Sequence, residues 1–146
     1  MTAPNLIFGW GNPSRGDDAL GPLFIERIEA LGLPGVDCLT DFQLQVEHAL
    51  DLKGRARVLF VDASIETPTF AIERIEANRD TTFTSHAISP QSVMQTYLDI
   101  EACEPPPCWL LAIGGRSFEL GEPLSATAAT NLEAALASAL RWLAEK

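Results

Sequence analysis

Cysteine, histidine and basic residues are all scarce in this 146-residue chain. The three cysteines, Cys38, Cys103 and Cys108, are too few and too irregular for a disulfide framework and lack the paired close spacing of a zinc ribbon. They read as small apolar core residues. Lys and Arg number 10 against 20 Asp and Glu, so capture of a nucleic-acid backbone is not expected. No apolar run nears the roughly 18 residues that span a membrane, and the first residues lack a basic region followed by an apolar stretch. No serine sits in a G-x-S-x-G elbow, which leaves a serine hydrolase without local support. What remains is ordinary globular composition, with 47% hydrophobic and 21% charged residues. These features predict one acidic, soluble, cytoplasmic domain over residues 1–146.

The apolar runs then supply a fold class. Leu6 to Trp10 reads as a strand buried on both faces, Arg57 to Asp62 as an apolar strand, Val36 to Leu39 and Trp109 to Gly114 as further strands, and Thr69 to Ile75 as an antiparallel edge. Apolar positions recur at helical spacing from Ala19 to Leu31, from Val93 to Ile100 and from Leu132 to Leu143, with a short helix at Val46 to Leu52. Ser89-Pro90 opens one helix, and Ser125 or Thr127 can cap the last. Alternation of this kind predicts an α/β fold of three layers, a twisted, mostly parallel sheet of about five strands with helices on both faces. Ligands in such folds sit beyond the carboxyl ends of the strands. The places to look are therefore after Trp10, Leu39, Asp62 and Ile113.

Carboxylates stand at two of them. The first loop carries Asp17 and Asp18 where a helix begins, as helix caps or with one of them facing the crevice as a metal ligand. Its glycines are not spaced for a dinucleotide, and no Gly-Lys-Ser/Thr follows. Asp62 ends an apolar strand, where a carboxylate must be paired, hydrogen-bonded or bound to a cation. It too reads either as a cap of the next turn or as a ligand. Oxygen donors joined by an imidazole, or by Gln91, suit nickel, zinc, cobalt or manganese. Of the two histidines, His48 falls in a helix and reads as structural, whereas His86 lies in an irregular stretch before Ser89-Pro90.

Taken in order, these segments resemble the hydrogenase maturation endopeptidases, which trim the C-terminal extension of nickel–iron hydrogenase large subunits. Gly11-Asn12-x4-Asp17-Asp18-Ala19-Leu20-Gly21 is similar to the family's first motif, and Leu59-Phe60-Val61-Asp62-Ala63 to its second. Ile88-Ser89-Pro90 and Leu111-Ala112-Ile113-Gly114 match later family positions, so the resemblance spans essentially the whole chain. It implies a peptidase of the aspartic, metal-recognising type whose partner is a nickel-loaded large-subunit precursor, with no nucleic acid or membrane partner. The nickel would be that of the precursor and only weakly held by the free enzyme. It also implies Asp18 and Asp62 as catalytic and nickel-binding residues. The family's third ligand is a histidine directly after Ser-Pro, where this chain has Gln91. Imidazole is the better nickel donor, and His86 lies three residues before Ser89, so His86 is the expected third ligand. Where family members carry a Gly-rich stretch after the second strand, this chain has Asp41-Phe42-Gln43-Leu44. The alternative from another class is a flavodoxin-like module binding a nucleotide or flavin, without protease activity.

Overall fold

The structure, a computed structural model, describes residues 2–79 and 88–145. Among them five strands form one sheet: β1 (Asn5–Trp10), β2 (Val36–Asp41), β3 (Arg57–Ser64), β4 (Phe70–Ile75) and β5 (Cys108–Gly114). Their order is β2-β1-β3-β5-β4, with every neighbouring pair parallel except β4 with β5. The helices are α1 (Leu20–Ala30), α2 (Pro90–Glu101) and α3 (Ala126–Ala144). Short 3-10 helices cover Gly16–Ala19 and Val46–Leu52. The mostly parallel α/β architecture and the antiparallel edge match the sequence expectation.

Alternation along each strand feeds two cores. Leu6, Phe8 and Trp10 of β1 join Val58 and Phe60 of β3, and α2 and the Val46–Leu52 helix cover them through Val93, Met94, Ala49 and Leu52. Ile7, Leu59 and Val61 face the opposite way and pack under α1 and α3, against Phe24, Ile28, Leu132 and Leu136. Full burial of each large side chain contributes roughly 1.5–3 kcal/mol, and Phe8, Phe24 and Phe60 are all completely enclosed. The expected stripe of α3 loses one member, because Leu140 is exposed. Among the cysteines only Cys108 is a core residue, since Cys38 is half-buried and Cys103 is exposed.

Caps settle the helix starts. Ser89 Oγ accepts the amide of Ser92, with Pro90 in the first turn, where its missing N–H leaves nothing unpaired. Ser125, not Thr127, caps α3 by accepting from the Ala128 amide. The chain leaves β1 for α1 on one side of the sheet and returns to β3 through the other side, so the strand order reverses between β1 and β3. That reversal opens a crevice beyond their carboxyl ends.

The crevice depends on close backbone approach. A Cβ at Gly21 would lie 2.3 Å from the carbonyl oxygen of Trp10, and one at Gly11, whose φ is +148°, 2.0 Å from that of Asp18. The first motif therefore has glycine at both positions for steric reasons. Gly21→Ala should cost about 1–3 kcal/mol by overpacking. For a domain of this size that lowers Tm by about 3–10 °C in a calorimetric scan, without change in the far-UV circular dichroism. An unchanged Tm would mean that β1 and α1 separate freely.

Candidate functional site

The two adjacent aspartates of the first loop have different surroundings. Asp17 is completely buried. Its Oδ2 accepts from the amides of Arg116 (2.6 Å) and Ser117 (3.3 Å) and from Ser125 Oγ (2.7 Å), and its Oδ1 accepts from the Ser125 amide (2.7 Å). Its own amide donates to the Ser117 carbonyl at 2.8 Å. Burial alone would raise its pKa, but the donors outweigh that and hold the carboxyl below its ordinary value. Asp17 thus ties the β1–α1 loop to the segment between β5 and α3. It makes no side-chain cap of the 3-10 helix in which it lies, contrary to the capping expected from its position.

Asp18 lies next to it on a different face, because successive residues of a 3-10 helix diverge by about 120°. Its Oδ2 accepts the Asn12 amide at 2.7 Å, and the side chain is half-buried at the crevice. Asn12 Oδ1 in turn accepts the Ser14 amide at 2.8 Å, so the loop is bonded internally. Asp62 comes from the end of β3, shares the strand face of Val58 and Phe60, and accepts the amide of Ala63 at 2.8 Å. Burial pushes its pKa up to about 7; the Ala63 bond lowers it, and the nearby charge of Asp18 raises it further. The two carboxylates expected from the sequence are therefore near enough across the switch point for the charge of Asp18 to act on Asp62.

The third expected ligand, His86, lies outside the described residues. Gln91 occupies the first turn of α2, where its carbonyl accepts from the Asn78 amide at 3.0 Å. Among the described residues, no group of three His, Cys, Asp or Glu side chains could hold a metal ion. His48 is structural, as expected: Nδ1 accepts the Gln45 amide at 2.9 Å, Nε2 lies 3.2 Å from Asp41 Oδ2, and the ring packs edge-on against Phe8.

Sequence reasoning missed the braces around this site. Asn131 Nδ2 donates to the carbonyls of Gly114 (2.9 Å) and Pro68 (3.1 Å), and the Arg116 guanidinium donates to Gly115 and Pro68. The Gly115 amide donates to Ser64 at 3.0 Å, which links the ends of β3 and β5. A buried asparagine in an otherwise apolar helix stripe was the signal available for this brace.

The buried Asp17 and the half-buried Asp62 should respond oppositely to pH. Asp17, with a lowered folded pKa, stabilises the fold above 3.8 and loses that contribution as pH falls through its folded value. Asp17→Asn turns an amide donor toward donors and should cost about 1.5–3 kcal/mol near neutrality, less in acid. Asp62 binds its proton more tightly when folded, so its effect is harmless below 3.8 and increasingly destabilising as pH rises to about 7. Asp62→Asn should therefore match the parent at pH 3.5, exceed it in urea midpoint by pH 7, and gain nothing more beyond. A loss of stability in Asp62→Asn at pH 8 would make Asp62 a structural cap.

No protein-family model matches the chain, and no curated protein matches it by sequence. Solved structures do match. The hydrogenase maturation protease HycI from Thermococcus kodakarensis KOD1 is 24% identical, with a TM-score of 0.74 over 98% of this chain and 94% of that one. The hydrogenase maturating endopeptidase HybD from E. coli is 23% identical, with a TM-score of 0.73 over 95% of this chain and 91% of its own. An endopeptidase from E. coli solved in solution is 26% identical, with a TM-score of 0.71 over 95% and 91% of the two chains. With its strand order and helical layers accounted for over nearly its whole length, this chain has the fold of the hydrogenase maturation endopeptidases.

Proposed function

We propose that this chain is an endopeptidase that removes the C-terminal extension of a nickel–iron hydrogenase large-subunit precursor after nickel insertion. The observation that carries this reading is the meeting of Asp18 and Asp62 at the switch point of a fold shared with hydrogenase maturation endopeptidases. Two half-buried carboxylates that repel one another are a place where a cation relieves both charges. In this reading the cation is the nickel of the precursor, contacted by Asp18, Asp62 and His86. The enzyme then cuts only a precursor that has received its metal.

Hydrolysis adds water to the scissile carbonyl and releases the extension with a new amino terminus. A carboxylate with pKa near the working pH is suited to take the proton of that water. Asp62, raised to about 7, is the natural base, and Asp18 orients the metal-bearing segment. Nickel contact with the pair would lower the Asp62 pKa, so the base is unmasked when the correct substrate arrives. Acidification below about 7 should lower kcat/KM for trimming, because it protonates the base of the free enzyme, while kcat should hold to lower pH.

The test is incubation with nickel-loaded and nickel-free precursor, followed by mass spectrometry of the precursor's carboxyl terminus. Only the loaded form should be trimmed, and Asp18→Asn and Asp62→Asn should each lower the rate at least about a hundredfold while remaining folded. His86→Ala should be inactive and Gln91→Ala active; the reverse outcome transfers the third contact to Gln91. Protein purified without added nickel should hold far less than one equivalent, since the site lacks the thiolates of a closed structural centre. Tight stoichiometric metal would instead indicate a self-contained metalloenzyme.

A further inference from the structure

Away from the carboxylates, on the other face of the sheet, aromatic rings and guanidinium groups stack on one another. Arg57 lies 4.2 Å over the Trp142 ring, Trp142 meets Trp109 edge to face at 5.5 Å, and Arg74 lies 5.0 Å over Trp109. Trp109 pairs with Leu59 in the parallel register, and both pack on the α1 and α3 side. Asp62 faces the α2 side, three residues further along β3, which is about 10 Å. Trp109 and Trp142 wall a cavity of about 220 Å³ between β4, β5 and the end of α3.

Two features mark this cavity as a ligand site. Trp142 is only 6% exposed, and its Nε1 is the one buried side-chain nitrogen or oxygen among the described residues without a hydrogen-bond partner. A buried donor left unpaired is costly, and an acceptor supplied from the cavity removes that cost. The charges around it are the second feature. Arg74 and Arg141 line the cavity together with Glu73 and Glu145, and none of the four is ion-paired to a described residue. Guanidinium forks and an indole N–H suit a carboxylate. A dianion such as phosphate would meet the two glutamates, whereas an ammonium group is drawn to them. The volume lies below the roughly 300–1,000 Å³ of pockets for drug-sized ligands, so the ligand is small. We propose that this cavity binds a free α-amino acid with an apolar side chain. Its carboxylate meets the Trp142 N–H and the guanidinium groups of Arg74 and Arg141, its ammonium meets Glu73 and Glu145, and its side chain packs on Ile72 and Trp109. The assignment is independent of the peptidase reading, because neither Asp18 nor Asp62 takes part in it.

The probes are leucine, isocaproate, which lacks the ammonium, and isoamylamine, which lacks the carboxylate. Binding to the full chain is followed by 1H–15N NMR, with the Trp142 indole N–H as reporter. The indole of Trp10, in the core on the α2 side, serves as reference. Leucine should move the Trp142 signal downfield, as a donor gaining an acceptor, and leave that of Trp10 in place. It should bind at least about tenfold more tightly than either analogue. Arg74→Gln with Arg141→Gln should erase the advantage of leucine over the amine, and Glu73→Gln with Glu145→Gln its advantage over the acid. All four residues are exposed, so both double variants should keep the parent's spectrum elsewhere. An unmoved Trp142 signal, equal binding of the three probes, or a leucine preference that survives both double variants overturns the site.

Discussion

Everything at the carboxyl end of the sheet depends on the burial of the Asp17 carboxylate. Removing a charge from water is costly unless donors replace the water, and here three amides and a hydroxyl do so. Those donors come from the segment that joins β5 to α3, 99 to 108 residues away in sequence. The bond set therefore closes a long loop of chain around one side chain. Ser125 acts twice in it, since its amide and hydroxyl both serve Asp17 while its Oγ also caps α3.

This anchorage determines what the neighbouring residue can do. With Asp17 turned inward, the 3-10 geometry turns Asp18 elsewhere, and its carboxylate holds the Asn12 amide at the crevice. Asp62 arrives from β3 with the Ala63 amide as its donor, so burial is poorly compensated and its pKa rises. The contrast between Asp17 and Asp62 is one of donor supply. Four hydrogen bonds hold Asp17 ionised, whereas Asp62 is left short of donors.

The layers were legible in the sequence because apolar runs on β1 and β3 need cover on both faces, and the alternation of Leu6, Phe8 and Trp10 with Ile7 assigns each side. Asp62 was legible for a related reason, as a carboxylate ending an apolar strand. The inward turn of Asp17 was not, because two adjacent identical residues carry no local mark of which one is buried, and only the family resemblance singled out Asp18. Only the distant partners Arg116, Ser117 and Ser125 decide it, and pairings over such separations leave no periodic trace. Cys103 and Leu140 differ from expectation for a simpler reason: residue type gives a tendency to burial, while a helix end and a small rotation decide the case.

The same electrostatics weigh against a nucleotide or flavin at this crevice. In open α/β sheets a phosphate would sit at the switch point, where Asp18 and Asp62 lie close enough to interact. A phosphate charge about 4 Å from a carboxylate is opposed by about 4 kcal/mol at the effective dielectric of a protein surface, for each carboxylate that remains ionised. Offsetting that would take a nearby cation, and the one described lysine, Lys53, is paired with Glu101 at 3.0 Å, on the 3-10 helix and α2 side of the sheet. Arg116, which does reach the crevice end, commits its guanidinium to the carbonyls of Gly115 and Pro68. A crevice that brings two carboxylates close enough for the charge of Asp18 to raise the proton affinity of Asp62 favours a ligand that brings positive charge. A cation meets that requirement, and a phosphate does not.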